Sequence, residues 1–280
     1  MNATTTTSTR TDATTISPSP ATATSTATST ARPAEISVAP GVRRARVGLH
    51  SAGIVPWLVS RSQTSASVAI GAGGALLLGG DAVRLDIRVA SGCTLTIEDV
   101  GGTVAYDGEG RAASWNVDVV LGDHTRLVWR ALPFVVADGA EVTRSMTLSL
   151  GAGASALVRE TLVLGRTGER GGSIASRLSV RDADGPLLVE TLRARGDEPV
   201  PGLLGPHRVV DSVLAVGGEG RAASGLQDHA ITGATLLGLE RGGCLMRALG
   251  SDAHTVDLGQ VFEHLERVRV PHTESPSLDG

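Results

Sequence analysis

Three of the seven histidines stand beside an aspartate, a pairing that could hold a divalent cation. These pairs are Asp123-His124, Asp228-His229 and Asp252-Ala253-His254. Imidazole and carboxylate both ligate borderline metals, so a fold that gathered the pairs would build a metal site. Scattered singly along the chain, they are more typical of solvated turns than of a metal site. We expect no tightly bound cofactor, and a metal-dependent enzyme built on these pairs stays open as an alternative.

Two carboxylates stand out because glycines precede them. Asp81 follows Gly79-Gly80, and Glu169 follows Gly168. Small neighbours let the backbone approach closely, which suits a carboxylate that faces a channel or a partner. An ordinary hydrogen-bonded turn acid has the same local sequence, so both interpretations stay open.

Composition excludes several classes of function. All 25 basic residues are arginine, so a Walker-A phosphate clamp or a pyridoxal Schiff base has no lysine to use. HExxH and GxSxG are absent as well. Six aromatic residues and a net charge of −4 argue against nucleic acid as a partner. The two isolated cysteines, Cys93 and Cys244, indicate a reducing, cytoplasmic setting, and no segment is apolar enough to span a membrane.

Alternating apolar and polar residues predict the strands that must position these groups. Such runs end on Gly92, Gly122 and Gly151, about 30 residues apart, and each is followed by a second run. A fourth unit surrounds Asp184-Gly185. The runs before the turns are Leu85–Val89, Val117–Leu121, Met146–Leu150 and Arg177–Arg181. We predict an all-β fold with one or two helices, in which hairpins stack as strand–turn–strand repeats in a twisted, β-helix-like architecture.

The ends of the chain differ from its middle in composition. Residues 1–40 are mostly Thr, Ser, Ala and Pro and are predicted to form a disordered tail, followed by a β domain over 41–270 and a flexible tail over 271–280. Within the domain, residues 234–239 and 244–249 predict a further hairpin. Apolar residues at helical spacing predict a helix over about 257–268.

Several of these landmarks, taken in order, resemble the UreD/UreH family of urease accessory proteins over roughly residues 45–268. The most specific is Leu164-Gly165-Arg166-x-x-Gly168-Glu169, and another is the segment Leu76-Leu77-Leu78-Gly79-Gly80-Asp81. Trp129 to Pro133, Asp138-Gly139-Ala140 and residues 245–250 also match in order and spacing. The positions that match the family motifs are Gly79, Gly80, Tyr106, Pro133, Gly165, Arg166, Gly168 and Arg247.

The resemblance implies a scaffold, not an enzyme, that helps nickel reach apo-urease. Its implied partners are a helical accessory protein of the UreF type, a GTPase of the UreG type and the urease apoprotein. Nickel is expected in transit through an internal water-filled passage, where Asp81 and Glu169 occupy the matching acidic positions. A β-repeat binding or structural module without a metal role is the alternative.

Three segments depart from the family pattern: a four-residue turn, 240–243, stands where the family often carries extra helix, and two further segments bear on the passage. Residues 96–106 replace a Thr-Thr-Gln-rich run, and Phe134-Val135-Val136 replaces a polar or acidic residue often found after Pro133. We therefore expect the route of the passage to differ in detail.

Overall fold

Two β-sheets that face each other make up most of the structure, a computed structural model that describes residues 32–218 and 233–267. The first sheet contains, in spatial order, β14 (Gly185–Arg195), β13 (Ser173–Asp182), β11 (Glu141–Leu150), β8 (Ala113–Leu121), β5 (Ala82–Val89), β1 (Ala34–Ala39) and β2 (Arg46–His50). The second contains β16 (Ala234–Gly238), β17 (Cys244–Gly250), β15 (Val209–Val216), β12 (Ser155–Leu164), β9 (Arg126–Arg130), β6 (Thr94–Asp99), β4 (Ser65–Ala72) and β3 (Ile54–Arg61). Two short strands, β7 (Thr103–Ala105) and β10 (Phe134–Val136), join it beside β12.

The chain winds as a flattened solenoid that places one strand in each sheet per coil. Strands β5, β8, β11 and β13 are parallel neighbours in the first sheet. Their counterparts β4, β6, β9 and β12 are parallel neighbours in the second. The predicted all-β stack of strand–turn–strand units is confirmed.

The pairing within those units was predicted wrongly. The strands on either side of the turns at Gly92, Gly122 and Gly151 do not pair with each other, because each turn carries the chain from the first sheet to the second. Crossing over lets the apolar faces of both strands bury against each other across the sandwich. The fourth unit is a true antiparallel hairpin, β13–β14. The predicted hairpin near the C-terminus is confirmed as β16–β17.

The interior between the sheets is filled by the inward side chains of the strands. Leu85 and Ile87 of β5 are fully buried, as the alternation predicted. A second apolar cluster lies on the outer face of the second sheet, under helix α1 (Gly259–Arg267). Val261, Phe262 and Leu265 of α1 are buried there, so the helix lies within one or two residues of its predicted bounds.

The predicted boundary of the N-terminal tail is wrong at its end. Residues 34–39 form β1, which pairs in parallel with β5 and antiparallel with β2. Ile36 and Val38 are buried in the core, and this alternation outweighs the Thr/Ser/Ala/Pro-rich composition that precedes them. Residues 1–31 and the predicted tail at 271–280 lie outside the described residues. No helix in the described ranges is long and apolar enough to cross a membrane.

A buried ion pair attaches α1 to the second sheet. The carboxylate of Asp211 in β15 is fully buried and accepts hydrogen bonds from Arg159 Nη2 at 2.8 Å and Thr161 Oγ1 at 3.0 Å. It also accepts one from the backbone N–H of Leu258, at 2.8 Å, directly before the helix. Arg159 reaches Asp257 as well, at 2.7 Å. One carboxylate therefore fixes β12, β15 and the start of α1 together.

Replacing Asp211 by alanine is expected to lower the free energy of unfolding by about 3–5 kcal/mol, because it leaves the Leu258 N–H without its acceptor and the partly buried Arg159 with only the exposed Asp257 as its carboxylate partner. Asp257→Ala is the comparison: that carboxylate is 64% exposed, and its loss removes the ion pair with Arg159 and the hydrogen bond from Gly259 N–H at the start of α1, at a cost of about 1–2 kcal/mol. Urea unfolding of both variants measures the difference. An equal loss of stability in both variants would show that the burial of Asp211 does not add to its contribution.

Candidate functional site

The residues that match the family motifs lie mainly on the loops that lead from the second sheet back to the first, called return loops here. These four loops connect β4 to β5, β7 to β8, β10 to β11 and β12 to β13. Backbone hydrogen bonds stack them along one edge of the solenoid: Tyr106 N–H donates to Leu77 O at 3.1 Å, and Ala137 N–H donates to Ala105 O at 3.0 Å. Residues from distant parts of the sequence thus share one edge.

Asp81 closes the first return loop on itself. Its Oδ2 accepts from the backbone N–H of Leu78 at 3.0 Å, and its own N–H donates to Leu78 O at 2.9 Å. A Cβ on Gly79 would lie 2.5 Å from the Cα of Gly108 in the next loop, so only glycine permits this contact. Gly80 adds a hydrogen bond to Ala112 O at 3.2 Å. The Gly-Gly-Asp segment is a close junction between two loops.

Glu169 is held by Arg166 on the fourth return loop. Its carboxylate accepts from Arg166 Nε at 2.7 Å and from the backbone N–H groups of Arg166 at 2.9 Å and Asp138 at 3.3 Å. The hydrogen bonds from Arg166 lower the pKa of Glu169 to about 2. Arg166 also lies over the ring of Tyr106, 5.9 Å from its centroid. The fold therefore brings Tyr106, Arg166 and Glu169 together.

The remaining motif positions fall into two groups. Gly165 and Gly168 form the turn that presents Arg166, and Gly165 N–H donates to Val136 O at 2.7 Å. Pro133 lies between β9 and β10, and its O accepts from the N–H of Thr103, the first residue of β7, at 3.0 Å. Arg247 lies elsewhere, inside the sandwich on β17. Asp81 and Glu169 are not brought together, because three strand spacings, about 14 Å at roughly 4.8 Å each, separate their loops.

A cavity of about 90 Å³ lies between the two sheets and is crossed by polar side chains. Neither Asp81 nor Glu169 is among the residues that line it. In the second sheet Glu160 pairs in register with Ser212, and Ser212 with Arg247. Asp99 on β6 lies at the same position along the strands of the second sheet. Arg144 and Glu190 line the cavity from the first sheet. We call Asp99, Arg144, Glu160, Glu190, Ser212 and Arg247 the inner polar row.

Two ion pairs of the inner polar row cross the sandwich in opposite directions. Arg144 of the first sheet pairs with Glu160 of the second. Arg247 of the second sheet binds Glu190 of the first through two contacts, at 2.6 and 3.0 Å, and donates to Ser212 Oγ at 3.2 Å. Both guanidinium groups are thereby matched to a carboxylate, as burial requires.

Asp99 is the carboxylate of the inner polar row that has no guanidinium within salt-bridge distance, judged over the described ranges. It accepts hydrogen bonds from Trp129 Nε1 and from the backbone N–H of Leu132, both at 3.0 Å. Burial raises the pKa of Asp99 to about 6, against the lowering effect of those two hydrogen bonds. The nearby charge of Glu160 contributes to this higher pKa, and the charge of Arg144 opposes it. The cavity thus holds one carboxylate that titrates close to neutral pH.

The two Asp-His pairs that lie in the described residues are not gathered into a metal site. Asp123 and His124 are exposed on the turn between β8 and β9, where Asp123 Oδ1 accepts from Ala152 N–H at 2.8 Å. Asp252 and His254 are exposed in another loop, and Asp228-His229 lies outside the described residues. Within residues 32–218 and 233–267, no three His, Cys, Asp or Glu side chains are placed to hold a metal ion together.

Local motifs could not reveal the inner polar row, apart from Arg247. Its members occupy inward positions of strands that are otherwise apolar: Arg144 lies between Val142 and Met146, and Glu160 between Val158 and Leu162. A charge at an inward position of an alternating strand is the signal that the sequence does carry, because such a charge must find a buried partner. Asp99 falls in one of the three segments that depart from the family pattern.

Replacing Glu169 by glutamine is expected to lower the free energy of unfolding by about 1–2 kcal/mol, because the charge-assisted bonds from Arg166 are weakened. Asp81→Asn is the comparison and should cost less, since Asp81 accepts one backbone hydrogen bond. The pKa of Glu169 is lowered to about 2, so its contribution is present above about pH 4.5 and is lost as pH falls toward 2. Thermal unfolding of both variants and wild type between pH 3 and 7 checks both points. An equal loss of stability in Glu169→Gln and Asp81→Asn would contradict a special contribution of the Arg166–Glu169 contacts.

The stability of wild type relative to Asp99→Asn is expected to fall as pH rises. The folded state holds the Asp99 proton up to a pKa of about 6, whereas the unfolded chain releases it near 3.8. The protonated carboxyl therefore favours folding at low pH, and up to about 3 kcal/mol of this advantage is lost between pH 4 and 7.5. Urea unfolding of both proteins over that range gives the difference. A pH-independent difference would show that Asp99 titrates normally.

Comparison with known proteins agrees with the motifs on the return loops. The family model described as UreD urease accessory protein matches residues 55–277. The chain is 43% identical over 143 residues to urease accessory protein UreD 1 of Streptomyces griseus, across 50% of this chain and 56% of the relative. It is 37% identical over 201 residues to the UreD of Frankia alni, across 64% of this chain and 66% of that protein.

A longer match is to the UreD of Parafrankia sp., 34% identical over 235 residues and covering 71% of this chain and 76% of the relative. The match to the Streptomyces griseus protein spans little more than half the length of that relative. The family model covers well over half of the chain, from β3 to beyond α1. The chain therefore belongs to the UreD family of urease accessory proteins.

Proposed function

We propose that this chain assists the maturation of urease by carrying nickel toward the apoprotein through the interior between its two sheets. The family supports a role as a urease accessory protein. The observation that supports an internal route is the inner polar row, which interrupts an otherwise apolar core. In this proposal the chain works in the cytoplasm as a scaffold without catalytic activity, with a UreF-like helical protein and a UreG-like GTPase as further partners.

The charge balance of the row suits a cation that passes and is not retained. Its three carboxylates and two guanidinium groups leave one net negative charge at neutral pH, carried by Asp99. A single carboxylate in a low-dielectric cavity attracts a divalent cation. A stable nickel site would need several protein ligands, and the row offers no such cluster.

Water is expected to accompany the ion. A volume of about 90 Å³ corresponds to roughly three water molecules at about 30 Å³ each. Ser212 and Thr103 also line the cavity and provide hydroxyl oxygens for these waters. We therefore propose a partly hydrated ion that exchanges ligands as it moves.

The two ion pairs across the sandwich would act as barriers in this route. Glu160 and Glu190 are neutralised by Arg144 and Arg247 while the cavity holds no cation. A divalent cation beside either glutamate competes with the arginine for its carboxylate, so transfer requires the arginine to move away. The pairs would thereby limit leakage and favour an ion that binds carboxylate strongly.

Asp81 and Glu169 stay proposed as acidic groups of the route, at its edge on the return loops. The oxygens of Glu169 are already engaged by Arg166 and by Asp138 N–H. We propose that Glu169 mainly keeps the loops in position, whereas Asp81 is freer to meet an ion.

Asp99→Asn is expected to lower urease activation about tenfold at limiting nickel, because the net negative charge of the cavity is removed; that corresponds to about 1.4 kcal/mol. The assay co-expresses urease with its accessory proteins in a bacterial host that lacks urease, and measures urease activity and nickel per urease. Asp118→Asn is the matched control, since Asp118 lies on the outer face of β8 and pairs with Arg84 at 3.0 Å.

Co-purification with the accessory proteins should be unchanged in both variants. Wild-type activation by Asp99→Asn at limiting nickel would remove the internal route. In that case the chain would be a scaffold, or a binding module without a metal role.

A further inference from the structure

We propose that the end of the solenoid formed by β2, β3 and β4 is a docking surface for an acidic segment of a partner protein that also carries apolar side chains. We call this surface the basic end; it comprises residues 41–46 and 54–63, together with Val100. The proposal is independent of nickel transfer and concerns a part of the molecule that the inner polar row does not reach.

The charge of this end is opposite to that of the whole chain. Residues 36–80 contain four arginines and no aspartate or glutamate, although the chain carries a net charge of −4. The four are Arg43, Arg44, Arg46 and Arg61, and all are exposed. Most other arginines of the described ranges pair with a carboxylate, as Arg84, Arg159, Arg195 and Arg241 do. The basic end therefore holds positive charge that nothing in its own segment neutralises.

Backbone contacts fix this charge in place. Ala45 N–H donates to Ser62 O at 2.7 Å, and Arg61 Nη1 donates to Ala45 O at 3.1 Å. Gln63 Nε2 reaches Val42 O at 3.2 Å. The loop that carries Arg43 and Arg44 is thus tied to the turn between β3 and β4. A partner meets a prearranged surface, which lowers the entropic cost of binding.

Exposed apolar side chains adjoin the arginines. Val42 is 94% exposed, and Trp57, Leu58 and Val59 are 45%, 40% and 64% exposed in succession along β3. Val100 is 62% exposed, and an added Cβ on Gly71 would lie between Val100 and the Trp57 ring, at 2.9 and 3.1 Å. Three consecutive exposed apolar residues on an edge strand are unusual for an unpartnered surface. Tryptophan and arginine are also the residues most often found at the centres of interfaces.

A second copy of this chain fits the basic end less well than an acidic segment does. Two copies related by a two-fold axis would place the same four arginines against each other. Pairing of β3 with another β3 is further opposed by Pro56 within the strand and by the irregular register after Leu58. Charge complementarity therefore selects an acidic partner, and the apolar residues require that it also present apolar side chains.

The test uses a short fluorescein-labelled peptide of alternating glutamate and leucine, with peptides of alternating glutamate and serine and of alternating lysine and leucine as comparisons. Fluorescence anisotropy should show binding of the first peptide that weakens as salt rises, with weaker binding of the second and none of the third. Arg43→Glu/Arg44→Glu should weaken binding of the first peptide at least tenfold, and Trp57→Ser should weaken it severalfold with the charge unchanged.

Arg177→Glu/Arg193→Glu is the matched control, because it reverses two exposed arginines on β13 and β14, at the other end of the first sheet. It should bind like wild type, and thermal unfolding establishes that all variants are folded. Equal loss in this control, or no binding by folded wild type, would overturn the proposal. So would self-association of wild type that Arg43→Glu/Arg44→Glu abolishes, or binding to anionic phospholipid vesicles in preference to the peptide.

Discussion

The parallel register of successive coils is the constraint on which the rest of this structure depends. In each coil the chain leaves the first sheet, crosses to the second and returns to the first, where its next strand lies in register beside the previous one. The acidic residues Asp107, Asp138 and Glu169 recur every 31 residues for this reason. The carboxylates of Asp138 and Glu169 accept backbone N–H groups from a neighbouring return loop or from their own. The close glycine contacts serve the same need, since loops stacked at strand spacing leave little room between them.

Register between neighbouring strands also explains how charges come to lie inside the sandwich. Paired strands place residues side by side on the same face, so a polar residue on one strand lies beside one on the next. Glu160, Ser212 and Arg247 are aligned in this way across the antiparallel strands β12, β15 and β17. Buried charges are tolerated when they are paired, and the facing sheet supplies Arg144 and Glu190 for that purpose. A row of this kind is a property of the sheet and not of any single strand.

Much of the fold was predictable because its signals are local. Period-two alternation located the strands, glycine turns about 30 residues apart gave the repeat, and helical spacing gave α1 within one or two residues. Hairpins and crossovers have the same local alternation, so the pairing of strands across the Gly92, Gly122 and Gly151 turns could not be read from it. Strand β1 was missed because the composition of a long tail concealed the short alternation of Ile36 and Val38.

The candidate site was predictable only where glycines or the family motif marked it. Asp81 and Glu169 were found because glycines precede them, and Arg166 because it matches the motif; Arg166 and Glu169 do lie together with Tyr106. The inner polar row depends on register between strands that are far apart in sequence. Asp99 and Glu160 are separated by 61 positions, yet the residues directly before them, Glu98 and Arg159, both pair with Arg130 of β9. No local pattern encodes that relation.

The coiled architecture also sets a length. Each coil pairs only with the coils on either side, so inserting or excising one 31-residue period changes the contacts of the two flanking coils alone. Adding a coil would move β2 and β3 away from α1 by about 4.8 Å. The number of coils therefore determines the distance between two proteins that are bound at opposite ends of the solenoid.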